Sequence, residues 1–322
     1  MSTLEFFETE VHSMTRESDS VLSLNLRHPL GEVLPSWCAG AHLDVLLPNG
    51  LVRQYSLCSD PAESSWRIAV LREPAGRGGS AYIHDELRPG TKVQVRGPKN
   101  NFALDPAGKY VFLAGGIGIT PILPMVRAAA AAGADWKLVY LGRSRTSMAF
   151  LGELASYGDA VHVHADDESG IYPLAGLLED PAGDFDLYAC GPGPLLNVIQ
   201  KMTAEWDDPA RLHFERFAAD PQLSAETHAP HAGDHEFVVE TTGGDEFTVP
   251  TGTSILEAME QAGLSPLSSC REGICGTCET TVVSGEVEHR DSLLSEEERE
   301  AGDTMMICVS RCKGRRLVLN LG

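Results

Sequence analysis

The stretch Ser269-Cys270-Arg271-Glu272-Gly273-Ile274-Cys275-Gly276-Thr277-Cys278 places three thiols in a C-x4-C-x2-C run, and Cys308 follows thirty residues after Cys278. This is the spacing of a plant-type [2Fe-2S] cluster. Each iron of such a cluster carries two sulfides and needs two protein thiolates, so four thiolates complete both irons. Gly273 and Gly276 let the backbone wrap closely and expose N–H groups to the sulfurs. The stretch therefore predicts an iron–sulfur site.

Two other interpretations of these cysteines stay open at this point. Structural zinc prefers paired C-x2-C elements, which this chain lacks, and disulfides are the second alternative. Cys312 lies four residues beyond Cys308 and could serve as the fourth ligand instead. The scattered Cys38, Cys58 and Cys190 are typical of reduced thiols in a reducing compartment. The spacing favours the cluster over both alternatives.

The length and composition indicate a multidomain enzyme. The chain has 322 residues, more than one ordinary core holds, which predicts two or three domains. Hydrophobic residues make up 43% of it, yet no apolar run approaches the length of a membrane span. The first residues lack the basic and apolar regions of a signal peptide. We therefore expect a cytoplasmic enzyme that acts as a monomer.

The net charge limits the kinds of partner. With 25 basic and 46 acidic residues the formal charge is −21, which argues against nucleic acid and anionic membranes as partners. Residues 235–322 hold 16 acids and 7 bases, a difference of −9. This excess is either a solvated surface that keeps the protein monodisperse or a means of steering toward a basic patch on a protein partner.

Residues 1–105 have the pattern of an antiparallel β-barrel. Asn49-Gly50 lies between two apolar runs and predicts a tight hairpin. Several antiparallel strands in about 100 residues favour a small barrel. The runs that predict strands lie at residues 22–26, 43–47, 51–57, 68–71 and 93–95.

Two segments of this barrel carry chemistry. In Arg53-Gln54-Tyr55-Ser56, strand alternation puts Arg53 and Tyr55 on one face and Ser56 on the other. The glycines of Gly76-Arg77-Gly78-Gly79-Ser80 open a short helical pattern from Ala81 to Leu87, where bare N–H groups and a capping Ser80 could meet a phosphate. Cross-strand packing and a flexible surface turn are the alternatives. Together the segments fit one mononucleotide of the size of FMN.

Residues 106–219 alternate between β and α patterns, which predicts a mostly parallel sheet covered by helices. A buried strand at residues 109–114 runs into Gly115-Gly116-Ile117-Gly118-Ile119-Thr120-Pro121. Thr120 is the expected N-cap, Pro121 suits the first helical position, and Gly133 is the expected helix end. Glycines between a strand and a helix bind nucleotide pyrophosphates, although the full G-x-G-x-x-G pattern is missing.

A second strand of this region, residues 186–190, ends in Cys190-Gly191-Pro192. Ligands of open α/β sheets bind at the carboxyl ends of strands. Taken alone, Cys190 fits a small buried hydrophobic residue better than a functional thiol.

The last part of the chain follows a linker. Residues 220–235 are rich in Ala, Pro, His and Asp and lack periodicity. Gly243-Gly244 then joins two strand patterns as a hairpin. Ser254 with Glu257, and Ser295 with Glu298, form capping boxes for two helices, the first ending at Gly263.

Together and in this order, the motifs resemble the phthalate dioxygenase reductase family across nearly the whole chain. Members of that family join an FMN-binding barrel, a nicotinamide domain and a C-terminal plant-type ferredoxin, and they serve Rieske-type oxygenases. Arg53-x-Tyr55-Ser56 and Gly78-Gly79-Ser80 match the flavin segments. Gly115-Gly116-x-Gly118-x-Thr120-Pro121 and Cys190-Gly191-Pro192 match the pyridine-nucleotide segments, and the cysteine loop matches the ferredoxin.

The resemblance implies three domains. Residues 1–105 would form the antiparallel β-barrel flavin domain and residues 106–219 the α/β parallel-sheet NAD(P) domain. Residues 236–322 would form an α+β ferredoxin domain of the β-grasp type, after the linker 220–235.

It also implies roles for single residues. Arg53 and Ser80 would hold the FMN phosphate, Tyr55 would cover the ring and Ser56 would lie near flavin N5. In His213-Phe214-Glu215-Arg216-Phe217, the resemblance favours Phe217 over Phe214 as the aromatic ring against the flavin. The segment from Met306 to Ser310 matches the fourth-ligand segment of the family, so Cys308 would be the ligand and Cys312 a departure without a role.

The implied chemistry is electron transfer. Nicotinamide gives up two electrons as a hydride, a [2Fe-2S] cluster accepts one, and a flavin bridges that difference. We expect hydride transfer from NADH to FMN, with Cys190 and Ser56 lining the contact. Single electrons would then pass through the cluster to a terminal oxygenase that docks near it. A reductase for a cytochrome P450, for a separate ferredoxin or for an iron-containing demethylase is the second candidate, and a redox sensor the third.

The choice of nucleotide is an open conflict. After the strand at residues 137–141 come Gly142-Arg143-Ser144-Arg145. These bases could accept the 2′-phosphate of NADPH, where an acid would favour NADH. The resemblance nevertheless favours NADH, with Arg143 as a nucleotide contact. FMN over FAD follows from the resemblance and from a flavin domain without an evident adenosine loop.

Overall fold

The structure is a computed structural model that describes residues 5–178, 184–218, 231 and 233–321. The chain divides into two compact units, Met1–Arg216 and Phe217–Gly322. Most of the predicted linker 220–235 lies outside the described residues.

The first unit begins with an antiparallel sheet. Within the described residues its six strands run in the order β4-β3-β6-β1-β2-β5. An isolated bridge between Leu57 and Ile68 connects the end of β4 to β5, so the sheet closes on itself as a barrel. The short helix α1 (Gly79–Asp85) follows β5. The strands are β1 (Phe7–Arg16), β2 (Val21–Arg27), β3 (His42–Leu46), β4 (Val52–Ser56), β5 (Trp66–Leu71) and β6 (Lys92–Lys99).

The predicted hairpin at Asn49-Gly50 is confirmed. It joins β3 to β4, and Gly50 has a φ of 83°, which favours glycine. Strand alternation directs Leu43 and Val45 of β3 into the barrel core, where they pack with Trp66 and Ile68.

The second part of this unit is a parallel sheet with the order β11-β10-β7-β8-β9. Its strands are β7 (Lys109–Gly115), β8 (Asp135–Gly142), β9 (Val161–Ala165), β10 (Asp186–Cys190) and β11 (Leu212–Glu215). The helices are α2 (Ile119–Ala132), α3 (Leu151–Leu154), α4 (Asp166–Ser169), α5 (Ala175–Leu178) and α6 (Gly193–Thr203). Short 3-10 turns cover Gly116–Gly118, Arg145–Ser147, Ala155–Ala160 and Pro209–Arg211.

The central strand β7 explains why this sheet is covered on both faces. Its residues are apolar at successive positions, as buried parallel strands require. Phe112 belongs to the core that contains α2, whereas Val111 and Leu113 belong to the core that contains Leu196 of α6. One strand therefore supports a helical layer on each side.

Two capping predictions are wrong. The hydroxyl of Thr120 donates to the Ile117 carbonyl at 3.0 Å, and the N-cap of α2 is Gly118, because a 3-10 turn leads directly into the helix. The Ser80 hydroxyl accepts from the Glu73 N–H at 3.1 Å, so it does not cap α1 either. The predicted helix end at Gly133 is confirmed, with a φ of 68°.

A half-buried ion triad joins the barrel to the parallel sheet within this unit. Glu153 of α3 accepts from Arg67 of β5 at 2.6 and 3.0 Å, and also pairs with Arg127 of α2. Both guanidinium groups also donate to the Cys58 carbonyl, at 3.1 and 2.9 Å. The chain just beyond Ser56 is thus fixed by charges from both parts of the unit.

The second unit is an α+β fold. Its main sheet has the order β13-β12-β18-β14-β16, with β12 parallel to β18 and the other described pairs antiparallel. The strands are β12 (Phe237–Thr241), β13 (Glu246–Val249), β14 (Glu279–Ser284), β15 (Val287–Glu288), β16 (Thr304–Met306), β17 (Arg311–Cys312) and β18 (Arg316–Asn320). Strands β15 and β17 form a separate antiparallel pair.

The part of this unit that the structure describes also has two helices, α7 (Ile255–Gln261) and α8 (Glu296–Ala301). Both predicted capping boxes are present, Ser254 with Glu257 and Ser295 with Glu298. The apolar face of α7 packs into the core of this unit through Leu256 and Met259. Across the described residues, no helix combines the length and the apolar character needed to cross a membrane.

Candidate functional site

Four cysteine thiols converge in the second unit. The Cys270 thiol is within hydrogen-bonding reach of Cys275 and Cys308, and the Cys278 thiol is within reach of Cys308. Cys275 is half-buried and the other three are buried. By contrast, the buried Cys312 donates to the Arg316 carbonyl at 3.5 Å. The fold therefore brings Cys308, from a distant segment, to the three-thiol loop.

The backbone of the loop supports these sulfurs. The Glu272 N–H donates to the Cys270 sulfur at 3.3 Å and the Cys270 N–H to the Cys275 sulfur at 3.4 Å. Gly273 and Gly276 have φ values of 71° and 70°, which bend the loop around the thiols. Hydrogen bonds among the thiols lower the pKa of Cys270 and raise the pKa of Cys275 and Cys308, because thiols in contact with one another do not ionise independently.

This donor set fits a dinuclear cluster, because two thiolates are available for each of two irons. Within the described ranges, no group of three or more His, Cys, Asp or Glu residues is arranged to hold a single metal ion. The fit to a cluster rests on the four thiols and their loop.

Two of the predicted flavin segments, the start of β4 and the glycine loop that opens α1, lie side by side. Arg53 donates to the Arg77 carbonyl at 2.6 Å and to the Val52 carbonyl at 2.7 Å, so its guanidinium lies beside the loop that opens α1. A Cβ on Gly79 would lie 2.6 Å from Arg53 Cγ. Gly78, the N-cap of α1, has a φ of 79°. A guanidinium beside backbone that carries no Cβ is a combination that fits a phosphate.

Tyr55 and Ser56 lie further along the same strand. Tyr55 packs against the barrel core, and burial raises the pKa of its hydroxyl. Ser56 is buried and is paired across the sheet with His42, whereas Tyr55 is paired with Leu43. The two side chains therefore point to opposite faces, as strand alternation predicts.

The two predicted nucleotide segments are in direct contact. A Cβ on Gly118 would lie 2.2 Å from the Cys190 carbonyl oxygen, and one on Gly115 would lie 2.7 Å from Pro192 Cδ. Both segments follow the carboxyl ends of neighbouring strands, β7 and β10. Gly116 completes the turn with a φ of 55°. This edge is where open α/β sheets bind ligands.

Glu215 places a carboxyl group next to Cys190, which the sequence motifs did not indicate. Glu215 ends β11 and is paired with Cys190 across the sheet. Its Oε2 is buried without a hydrogen-bond partner among the described residues, and burial raises the pKa of Glu215 to about 8. Burial, and then the Glu215 charge, raise the pKa of the Cys190 thiol as well. In the sequence, the place of Glu215 at the end of a strand was the one indication of a role, and only the structure shows that its side chain is buried.

The basic residues after β8 differ in their surroundings. Arg143 is exposed, and its carbonyl accepts from the Asp167 N–H at 3.0 Å. Arg145 Nε donates to both carboxyl oxygens of Glu168 at 3.1 Å. The acid that accompanies Arg145 lies 23 residues away in sequence. Phe217 has 44% of its surface exposed and belongs to the second unit, and its stacking on a flavin stays a prediction.

Comparison with known proteins gives the class of this chain. Residues 239–313 match the family model of the 2Fe-2S iron–sulfur cluster binding domain. Phenoxybenzoate dioxygenase subunit beta from Ectopseudomonas oleovorans is 42% identical over 315 residues, which are 97% of this chain and 96% of that protein. The phthalate 4,5-dioxygenase oxygenase reductase subunit of Pseudomonas putida is 38% identical, over 98% of this chain and 97% of its own.

Solved structures of similar sequence have the same fold as this chain. Phthalate dioxygenase reductase, described as a modular structure for electron transfer from pyridine nucleotides to [2Fe-2S], is 36% identical with a TM-score of 0.71 and 98% coverage of both chains. An intact type IV self-sufficient cytochrome P450 monooxygenase is 42% identical with a TM-score of 0.83. This chain covers 41% of the length of that P450.

A flavin- and iron–sulfur-dependent oxidoreductase is the class that this fold and these motifs define. The chain belongs to the phthalate dioxygenase reductase family. The predicted three-part fold and the predicted class, an electron-transferring reductase of the oxygenase-system type, are confirmed. The predicted [2Fe-2S] cluster agrees with the family model that matches residues 239–313.

Proposed function

We propose that this chain is the reductase subunit of a two-component Rieske-type oxygenase or demethylase and passes electrons from NADH to that separate protein. The observation that carries the proposal is the match to the Pseudomonas putida reductase subunit over 98% of this chain and 97% of the relative. Residues 1–105, 106–219 and 236–322 are the proposed flavin, nucleotide and ferredoxin domains, with a linker at 220–235. A monomer in the cytoplasm, where thiols stay reduced, suits this function.

In the flavin domain, the proposed contacts follow the geometry of β4 and of the loop that opens α1. Arg53 and Ser80 bind the FMN phosphate, next to the bare backbone of Gly78 and Gly79. Tyr55 covers the ring, while Ser56 and Phe217 line the reacting edge. FMN held by these residues would supply the conversion of a two-electron hydride donor into single electrons for a [2Fe-2S] cluster.

In the nucleotide domain, the two glycine loops at the strand edge bind NADH. The first loop holds the pyrophosphate through its N–H groups, and the second presents Cys190 to the nicotinamide. Arg143 contacts the adenosine side. The first loop comprises Gly115, Gly116, Gly118, Thr120 and Pro121, and the second comprises Cys190, Gly191 and Pro192.

In the ferredoxin domain, Cys270, Cys275, Cys278 and Cys308 are the proposed iron ligands. The oxygenase docks near them. Residues 235–322 carry 16 acids against 7 bases, and four of the acids are exposed on α8: Glu296, Glu297, Glu298 and Glu300. This charge would steer the domain toward a basic patch on the oxygenase.

Replacing Cys275 by Ser tests the electron path. The variant should keep NADH-dependent reduction of ferricyanide, which the flavin serves, and lose reduction of cytochrome c, which needs the cluster. Cys38→Ser, a change at an exposed cysteine of the barrel, is the matched control and should keep both activities. If the Cys275 variant kept both activities equally, the cluster would not lie on the path of electron transfer.

A cytochrome P450 is the second candidate partner, because a self-sufficient P450 contains a segment that is 42% identical to this chain with a TM-score of 0.83. Capture of the partner from the native host distinguishes the two. The proposed function expects a captured protein with non-haem iron and a Rieske cluster, whereas a captured haem protein would establish the alternative.

A further inference from the structure

The turn after β15, residues 291–294, forms a wall against the cysteine loop. A Cβ on Gly273 would lie 3.0 Å from Asp291 Cα, and one on Gly276 would lie 2.9 Å from Leu293 Cδ2. The Ser292 N–H donates to the Gly273 carbonyl at 3.1 Å. The loop that carries three thiols therefore rests on this turn without room for a methyl group at either glycine.

One buried carboxylate organises that turn. The Asp291 side chain is wholly buried, and its Oδ2 accepts from the N–H groups of Leu293 at 3.2 Å and Leu294 at 2.9 Å. Charge-assisted hydrogen bonds of this kind are stronger than neutral ones and fix a turn firmly. The Arg299 guanidinium lies 3.8 Å from the same oxygen and donates to the Asp291 carbonyl at 2.6 Å.

The other oxygen of Asp291 reaches the segment of the fourth thiol. The Ser310 hydroxyl donates to Oδ1 at 3.3 Å and accepts from the Arg290 N–H at 3.2 Å. Ser310 is wholly buried and lies two residues beyond Cys308. Val309, between them, would meet a Cβ on Gly273 at 2.7 Å. The Asp291 side chain thus makes hydrogen bonds both to the turn that packs against the cysteine loop and to the segment that carries Cys308.

We propose that Asp291 is a positioning residue for the cluster, which fixes the separation between the three-thiol loop and Cys308. The inference rests on the four-cysteine ligand set of the proposed function. Residues that orient metal ligands from outside the ligand set typically change metal affinity by about 10- to 100-fold when replaced. The buried charge also opposes the electron that a cluster held here accepts.

Three variants and a control test this role in the full-length protein. Asp291→Ala should lose its cluster about tenfold faster than wild type in the presence of EDTA and air. Asp291→Asn keeps the shape but removes the charge, so the midpoint potential of the cluster should move to a higher value and the EPR spectrum of the reduced protein should change. Ser310→Ala removes only the link to the Cys308 segment and should also speed cluster loss. Asp303→Asn, at an exposed acid of the same domain, should match wild type in all three measurements.

If Asp291→Ala does not fold, Asp291→Asn and Ser310→Ala decide the question. Wild-type potential, EPR spectrum and rate of cluster loss in both would overturn the proposal, even if their melting temperatures fell, because a purely structural role predicts that result. Failure of the ligand set itself has a separate signature, in which Cys275→Ser and Cys308→Ser retain the wild-type visible spectrum.

Discussion

The Arg53 side chain lies directly over the backbone of Gly79: a Cβ on Gly79 would stand 2.6 Å from both Cγ and Nε of Arg53. Arg53 is also hydrogen-bonded to the Arg77 carbonyl at 2.6 Å, so its guanidinium is fixed on one side by the loop and on the other by the strand. The position of the proposed phosphate ligand thus depends on the absence of a side chain at residue 79.

Gly79→Ala should therefore displace Arg53 and weaken FMN binding by about tenfold, which corresponds to about 1.4 kcal/mol. Flavin fluorescence during titration of the deflavinated protein measures the dissociation constant. Gly176→Ala, in α5 where a Cβ meets no atom of the described residues within 4 Å, is the matched control. Unchanged FMN affinity in Gly79→Ala would show that Arg53 does not hold the phosphate.

A pH dependence follows from Glu215. Its pKa in the folded protein is about 8, above the ordinary value of 4.5, because burial favours the neutral carboxyl. The folded chain therefore binds more protons than the unfolded chain between these values, and the contribution of Glu215 to the free energy of unfolding falls as the pH rises through this window. Glu215→Gln has no carboxyl group at this position, so its free energy of unfolding should not show this decrease with pH.

Melting temperatures of wild type and Glu215→Gln should be compared between pH 5 and pH 9, without nucleotide. The advantage of the variant should widen by about 2 °C or more as the pH rises to about 8 and then stay constant. A gap that is independent of pH would contradict the raised pKa, since the other titrating groups are common to both proteins.

The pairing of Arg145 with Glu168 offers a reason why two arginines after β8 are compatible with NADH. The carboxylate occupies Nε of Arg145 and adds a negative charge that would repel a 2′-phosphate. Glu168→Gln should raise kcat/KM for NADPH by about two- to fivefold, the range expected for a surface charge pair, and leave kcat/KM for NADH nearly unchanged.

Glu205→Gln, at an exposed acid elsewhere in the nucleotide domain, controls for net charge and should leave both values at the wild-type level. Equal increases of kcat/KM for NADPH in the Glu168 and Glu205 variants would show that only the net charge matters. No increase in either variant would show that Glu168 does not contribute to the choice of nucleotide.

The sequence predicts best those features whose cause is local. The C-x4-C-x2-C run, the Asn49-Gly50 hairpin and the two capping boxes each need only neighbouring residues, and the structure has the hairpin and both boxes. The first strand was missed for a local reason too. Its register shifts between Val11 and Ser13, so a bulge interrupts the alternation by which a strand is recognised.

The features that could not be predicted from the sequence mostly depend on contacts between residues that are far apart in the chain. Glu215 resembles any acid at a strand end until the fold buries it beside Cys190, and Arg145 resembles a phosphate ligand until Glu168 is found next to it. Asp291 is similarly one of 46 acids in the sequence until its carboxylate is seen to join two separate segments. The N-cap at Gly118 escaped because a 3-10 turn extends the helix backward past Thr120.

The contact between Gly118 and the Cys190 carbonyl has a mechanical consequence. Since a Cβ on Gly118 would lie only 2.2 Å from that oxygen, the two backbones are packed directly against each other. A larger residue at position 118 would therefore push apart the loop proposed to bind the phosphates and the strand end proposed to face the nicotinamide. A single substitution at this glycine would disturb both ends of the nucleotide site.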